Sequence, residues 1–95
     1  MANYVRMCVD KPDSLALRMA TREAHLAYVG GHRDILRTGG PLLSEAGEMR
    51  GSLFLMEAPD IETVKAFNAA DPYTLAGLFE RVEISAWRAT VSPIP

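Results

Sequence analysis

The feature that most narrows the fold is a strand signal with no polar side. Residues 3–9 alternate as Tyr4, Arg6 and Cys8 against Val5, Met7 and Val9, and a period of two marks a β-strand. Ser52 to Ala58 reads the same way, with Leu53 and Leu55 on one face and Phe54 and Met56 on the other. A sheet face left to water should read polar. Here both strands carry apolar groups on both faces, so both faces of the sheet need a cover.

The segments between these strands supply one cover. The turn Asp10-Lys11-Pro12-Asp13-Ser14 leads into a helix over 14–32, with Thr21 available to cap a second segment. Gly30-Gly31 weakens its C-terminal end. Ile35 to Thr38 reads as a strand that Leu42-Leu43 continues, and Gly39-Gly40-Pro41 marks an edge or a bulge within it. Ser44 to Gly51 is a polar turn. Pro59-Asp60 opens a helix whose Ile61, Val64 and Phe67 form one stripe. Asp71-Pro72 opens a short helical turn, Asp as N-cap and Pro at the first position, with Tyr73 and Leu75 to Leu78 packing inward. Arg81 to Val91 is a long last strand, which the prolines of Ser92-Pro93-Ile94-Pro95 cannot extend.

The order predicts an α+β, ferredoxin-like βαββαβ domain, a four-stranded antiparallel sheet with its helices on one face. Two helices leave the other apolar face open. The economical cover is a second copy, packed sheet to sheet as a homodimer with a barrel-like centre, a dimeric α+β barrel. At 95 residues the chain is one domain, 1–95, and a domain this small gains from such a partner.

Composition removes several function classes. The net charge is −2 and the arginines are scattered, so no basic run points to nucleic acid. Leu53-Phe54-Leu55-Met56 is too short to span a membrane, and Met1 to Arg6 lacks the pattern of a signal peptide. A cytoplasmic enzyme or binding domain is the expectation. The single cysteine, Cys8, excludes an intrachain disulfide and reads as a small core residue. The two histidines, His25 and His32, stand about 10 Å apart along a straight helix. They cannot share one metal, so no metal site is expected. His32 reads as a helix-end residue.

His25 is the candidate for chemistry. It follows Arg22 by three residues, so the two side chains are neighbours on a helix. A histidine paired with a fixed carboxylate is a general base, the carboxylate selecting the tautomer and stabilising the imidazolium. Asp71 is the obvious partner, although a cap alone would also explain it. Asn caps about as well as Asp, so Asp71→Asn is expected to leave stability nearly unchanged. The Gly39-Gly40-Pro41 segment, with Gly40 and Pro41 as candidate ligand contacts, could let a ligand approach the backbone closely, with a simple bulge as the alternative. Gly39-Gly40 lacks the spacing and the Lys-Ser/Thr of a phosphate-binding loop.

Taken together, these residues resemble the YCII-related (YciI-like) family. The likeness rests on Asp10-Lys11-Pro12-Asp13-Ser14-Leu15, Arg22-x-x-His25-Leu26, Gly40-Pro41, Gly51-Ser52 and above all Ala70-Asp71-Pro72-Tyr73-x-x-Ala76-Gly77. The resemblance implies a dimeric α+β barrel similar to muconolactone isomerase. It also implies an active-site His–Asp pair, which falls on His25 and Asp71. Some relatives eliminate halide from chlorinated aromatic compounds with such a pair, and most have no assigned reaction.

Three functions compete. The first is a cofactor-independent enzyme for a small organic molecule, acting by proton transfer, elimination or isomerisation. In it His25 moves a proton, Asp71 orients the ring, and Arg22 or Ser52 holds an oxygen, with Gly40, Pro41 and Tyr73 as further ligand contacts. The second is a non-catalytic ligand-binding or assembly module with the same pocket. The third is a cofactor-free monooxygenase of the wider barrel group. No flavin or haem motif is present, so no cofactor is expected.

Overall fold

Strands β1 (Ala2–Asp10) and β3 (Met49–Ala58) pair antiparallel at the centre of the sheet, Val5 opposite Leu55 and Arg6 opposite Phe54. The structure, a computed structural model, describes residues 1–91. Helix α1 (Leu15–Gly30), strand β2 (Leu36–Leu43), helix α2 (Ile61–Ala70), the single turn α3 (Pro72–Leu75) and strand β4 (Phe79–Ala86) complete the chain. All pairings are antiparallel, and the strand order is β2-β3-β1-β4. This is the α+β, ferredoxin-like arrangement expected, the protomer fold of the dimeric α+β barrel class.

Period two sorts the side chains as the alternation requires. Tyr4, Arg6, Cys8 and Asp10 of β1, and Ser52, Phe54, Met56 and Ala58 of β3, are buried beneath the helices. Val64 and Phe67 of α2 close over Tyr4, Phe54 and Met56 to make the core, each burial contributing roughly 1.5–3 kcal/mol. The opposite face presents Val5, Met7, Val9 and Leu55, half-buried in the single chain, and Leu53, exposed.

Several boundaries differ from the sequence reading. Helix α1 runs unbroken, because the Thr21 hydroxyl donates to the Leu17 carbonyl inside the helix at 2.9 Å instead of capping a new one. β2, in contrast, agrees with that reading: the strand lies at the sheet edge, as Pro41 suggests, and runs through Gly39, Gly40 and Pro41. The polar turn is shorter than expected, since β3 already starts at Met49. β4 ends at Ala86, not Val91, because Ala86 pairs with Tyr4 and β1 itself begins only two residues earlier. The expectation for Ser92 to Pro95 lies outside the described residues.

Leu75, expected inside, is 74% exposed. A single turn has one inward side, and Tyr73 takes it. Gly77, at φ +73°, then lets the chain reverse, with the Leu78 N–H donating to the Tyr73 carbonyl at 3.1 Å. That left-handed closure is the usual end of a helix, and it drives Leu78 into the core.

Candidate functional site

Helix α1 inverts the ordinary pattern of an amphipathic helix. Its two buried residues are Arg18 and His25, while Leu15, Leu17, Met19 and Leu26 are exposed. Arg18 and His25 are seven apart, two turns on one face. The helix therefore turns polar groups, not leucines, toward the sheet.

His25 meets Asp71 there. Its Nδ1 lies 2.9 Å from Asp71 Oδ1, both side chains buried. The same Oδ1 accepts the Tyr73 N–H at 2.9 Å, so Asp71 is at once the N-cap of α3 and the partner of His25. Its other oxygen, Oδ2, is 3.0 Å from Nη2 of Arg6, which is also fully buried. Burial alone would push the Asp71 carboxyl up. The bonds from His25 and Tyr73, and then the charge of Arg6, outweigh it and hold the carboxyl below the usual aspartate range. An ionised carboxylate only accepts hydrogen bonds. The proton between the two residues therefore belongs to His25 Nδ1, so that Nε2 is the ring nitrogen that can take up or give up a proton.

Arg6 is held on several sides. Its Nε donates to Asn68 Oδ1 at 3.0 Å, and its guanidinium carbon stands 5.3–5.6 Å from the ring centres of Phe54, Phe67 and Phe79. A second buried pair lies along β1. Arg18 grips Asp10 in a fork, Nε to Oδ2 at 2.7 Å and Nη2 to Oδ1 at 3.0 Å. Burial works against its charge, and the bonds to Asp10 prevail, so the Arg18 pKa sits above its ordinary value. Tyr73 ties the two groups together. Its ring stacks on His25 at 4.0 Å and 16°, and Arg18 sits 4.5 Å from its centre. Burial raises the Tyr73 phenol, and the charges of Arg18 and Arg22 offset that only in part, so it stays protonated.

A cavity of about 110 Å³ opens between α1, β2 and β3. His25, Arg22, Ser52, Gly40, Pro41 and Tyr73 all line it. Asp71 stands behind His25. Arg22 is exposed and makes no ion pair among the described residues. Apolar walls come from Leu26, Val29, Leu36 and Phe54. The glycine that shapes this wall is Gly39, whose Cβ would fall 2.3 Å from the Phe54 ring. At Gly40 a Cβ would meet nothing within 4 Å, so the backbone there has no need of glycine.

His32 stands apart from this site. Its Nδ1 donates to the Tyr28 carbonyl at 2.8 Å at the end of α1, and its ring packs edge-on against Phe67 at 5.3 Å. Cys8 is fully buried and its thiol is pushed up to about 11, chiefly by burial. Among the described residues no three of His, Cys, Asp and Glu converge as metal ligands, and no helix is long and apolar enough to cross a membrane.

The model of the YCII-related domain matches residues 2–88. The chain belongs to the YCII-related family. Protein YciI of Escherichia coli O6:H1 is 34% identical over 93 residues, spanning 90% of this chain and 95% of the relative. Among solved structures, 5-chloro-2-hydroxyhydroquinone dehydrochlorinase (TftG) of Burkholderia phenoliruptrix AC1100, in complex with 2,5-dihydroxybenzoquinone, superposes with a TM-score of 0.86 at 33% identity, covering 90% of this chain and 93% of that one. An antibiotic biosynthesis monooxygenase has a TM-score of 0.57 at 12% identity over 96% of this chain and 100% of that one, a likeness of fold alone.

In this YCII-related chain Arg6, Asp10 and Arg18 join the candidate site without being marked for it by the local sequence. Charged side chains are rarely buried unless paired, so each reads locally as exposed. The signal was nonetheless present. Arg6 and Asp10 share the strand face of Tyr4 and Cys8, and Arg18 precedes His25 by two helical turns.

Proposed function

We propose that this chain is a cofactor-independent enzyme that moves a proton on a small oxygenated ring or a related carbonyl compound, with His25 as the base. The observation that carries the reading is the buried His25–Asp71 pair at 2.9 Å beside the cavity. Nε2 accepts a proton from an acidic C–H or O–H of the ligand. The electron pair of a C–H bond moves toward the ligand's carbonyl oxygen to give an enolate, and that of an O–H bond stays on its own oxygen as a phenolate conjugated with the carbonyl. Asp71 acts through His25, holding the ring and stabilising the imidazolium that forms. Ser52 and Arg22 meet the charge on the oxygen. Elimination and isomerisation both begin with this step. The likeness to a dehydrochlorinase with a bound quinone supports the substrate class.

We infer further that the working form is a homodimer in the cytoplasm, paired through the open sheet face. Val5, Met7, Leu53 and Leu55 give that face its apolar character.

The test is a titration of purified protein with 2,5-dihydroxybenzoquinone, followed by assays for chloride release and product formation on chlorinated hydroxyhydroquinones. The expected result is binding to the wild type, with turnover that falls by about 10²–10⁴ in His25→Gln. Turnover indifferent to His25→Gln would overturn the base assignment. Binding without turnover of any of these compounds would favour the ligand-binding module.

A further inference from the structure

Arg18 lines the cavity, yet its charge is already matched. Nε and Nη2 close the fork on Asp10, and Nη2 also stands 2.9 Å from Ser52 Oγ. Asp10, Arg18 and Ser52 are all buried. A guanidinium only donates hydrogen bonds. The contact with Ser52 therefore occupies a lone pair of the hydroxyl, and the hydroxyl hydrogen must point elsewhere. Among the described residues Ser52 Oγ donates to no protein acceptor. It lines the same cavity as His25.

We infer that Asp10 and Arg18 form a positioning pair that directs the Ser52 hydroxyl hydrogen as a donor into the His25 cavity. The inference rests on the proposed function and adds a second pole to it. One pole is the His25 Nε2 lone pair, which takes a proton. The other is the Ser52 hydroxyl, whose hydrogen is left for the ligand because Arg18 can only donate to it. The site then selects molecules that carry an acidic proton and, within the same small cavity, an acceptor oxygen that gains charge as the proton leaves. Enolisable ketones, hydroxyquinones and phenols conjugated to a carbonyl meet that requirement. A bare hydrocarbon ring or an amine does not.

A stability role would account less well for this pair. Buried ion pairs often contribute little net stability against apolar replacements of the same size. A pair needed only to neutralise two charges would also have no use for the Ser52 contact. Tyr73, stacked on His25 and lying against Arg18, gives the two poles a common wall, so their spacing is set by rigid elements and not by a loop.

Two measurements test the inference. The first is a double-mutant cycle on affinity for 2,5-dihydroxybenzoquinone, using Ser52→Ala, Asp10→Asn and both together. Ser52→Ala should weaken binding about tenfold, the size of one lost hydrogen bond. Once Asp10→Asn has loosened Arg18, Ser52→Ala should cost much less, although Asp10 and Ser52 exchange no direct bond. Strictly additive effects, or unchanged affinity in Ser52→Ala while the wild type binds, would overturn the inference and leave the His25 reading intact. The second needs no ligand and no variant. Neutron diffraction from deuterated wild-type crystals should show the Ser52 hydroxyl deuterium directed into the cavity. A deuterium directed at a protein carbonyl would overturn the inference even if the wild type bound no quinone, an outcome that would count separately against the proposed function.

Discussion

Arg6 Nη2 and Asp71 Oδ2 lie 3.0 Å apart with both side chains fully buried. The carboxylate that orients His25 is therefore also the counter-ion of a guanidinium sealed in the core. This alters the expectation for Asp71→Asn. The cap would survive, but a buried Arg6 would lose its charge partner, and breaking a buried pair from one side costs about 3–5 kcal/mol. Thermal unfolding should show Tm lower by at least ~10 °C in a domain of this size. Replacing both partners, Arg6→Met with Asp71→Asn, should recover much of the loss, because no uncompensated charge remains. A Tm for Asp71→Asn within a degree or two of wild type would mean that the pair carries no such weight.

The Asp71 carboxylate, held low against its burial first by the bonds from His25 and Tyr73 and then by the charge of Arg6, contributes to the acid limit of the fold. The folded Asp71 carboxyl lies below its ordinary value, so its contribution is fully present above the unfolded aspartate pKa of about 3.9. It is lost as pH falls from there through the lower folded value. Urea unfolding from pH 6 down to pH 2 should show stability declining over that acid window, with a shallower decline in the Arg6→Met, Asp71→Asn double variant. Equal slopes in the two proteins would assign acid unfolding to other groups.

Cys8 should be chemically silent in the folded protein. With its side chain buried and its thiol pushed up to about 11, almost no thiolate exists at pH 8. Iodoacetamide should leave the native protein unmodified over hours and alkylate it readily in urea. Rapid modification without denaturant would show that β1 opens far more easily than its central position implies.

Much of the architecture was legible because it depends on local periodicity. The two-sided strands, the helix behind Asp60 and the Asp71-Pro72 cap all follow from spacing and turn chemistry. The site was legible where residue type and position agreed, as in Arg22-x-x-His25 and Asp71. The remainder was not, because it is tertiary. Nothing near Arg6 in sequence announces Asp71, 65 residues later, and nothing near Arg18 announces Ser52. Which residue of Gly39-Gly40-Pro41 must be glycine is set by the Phe54 ring of the neighbouring strand, a contact that the local sequence does not show. Leu75 read as core because a run of apolar residues does not show where a one-turn helix stops.

The open sheet face should hold two copies together. Met7 lies beside Leu53 across the β1–β3 register, and Leu55 faces the same side. Light scattering should give the mass of a dimer at micromolar concentration, and Met7→Lys should give a monomer or unfolded chain, since an unpaired charge would sit in the interface. A stable wild-type monomer would require another cover for this face.

The most direct test of the account is the tautomer of His25. Long-range proton–nitrogen correlation spectra of the wild-type protein at neutral pH should show the ring proton on Nδ1, where Asp71 Oδ1 accepts it at 2.9 Å. Addition of 2,5-dihydroxybenzoquinone should then move the Nε2 resonance most. A ring proton fixed on Nε2, or an Nε2 resonance that ignores the bound quinone, would contradict the assignment of His25 as the base.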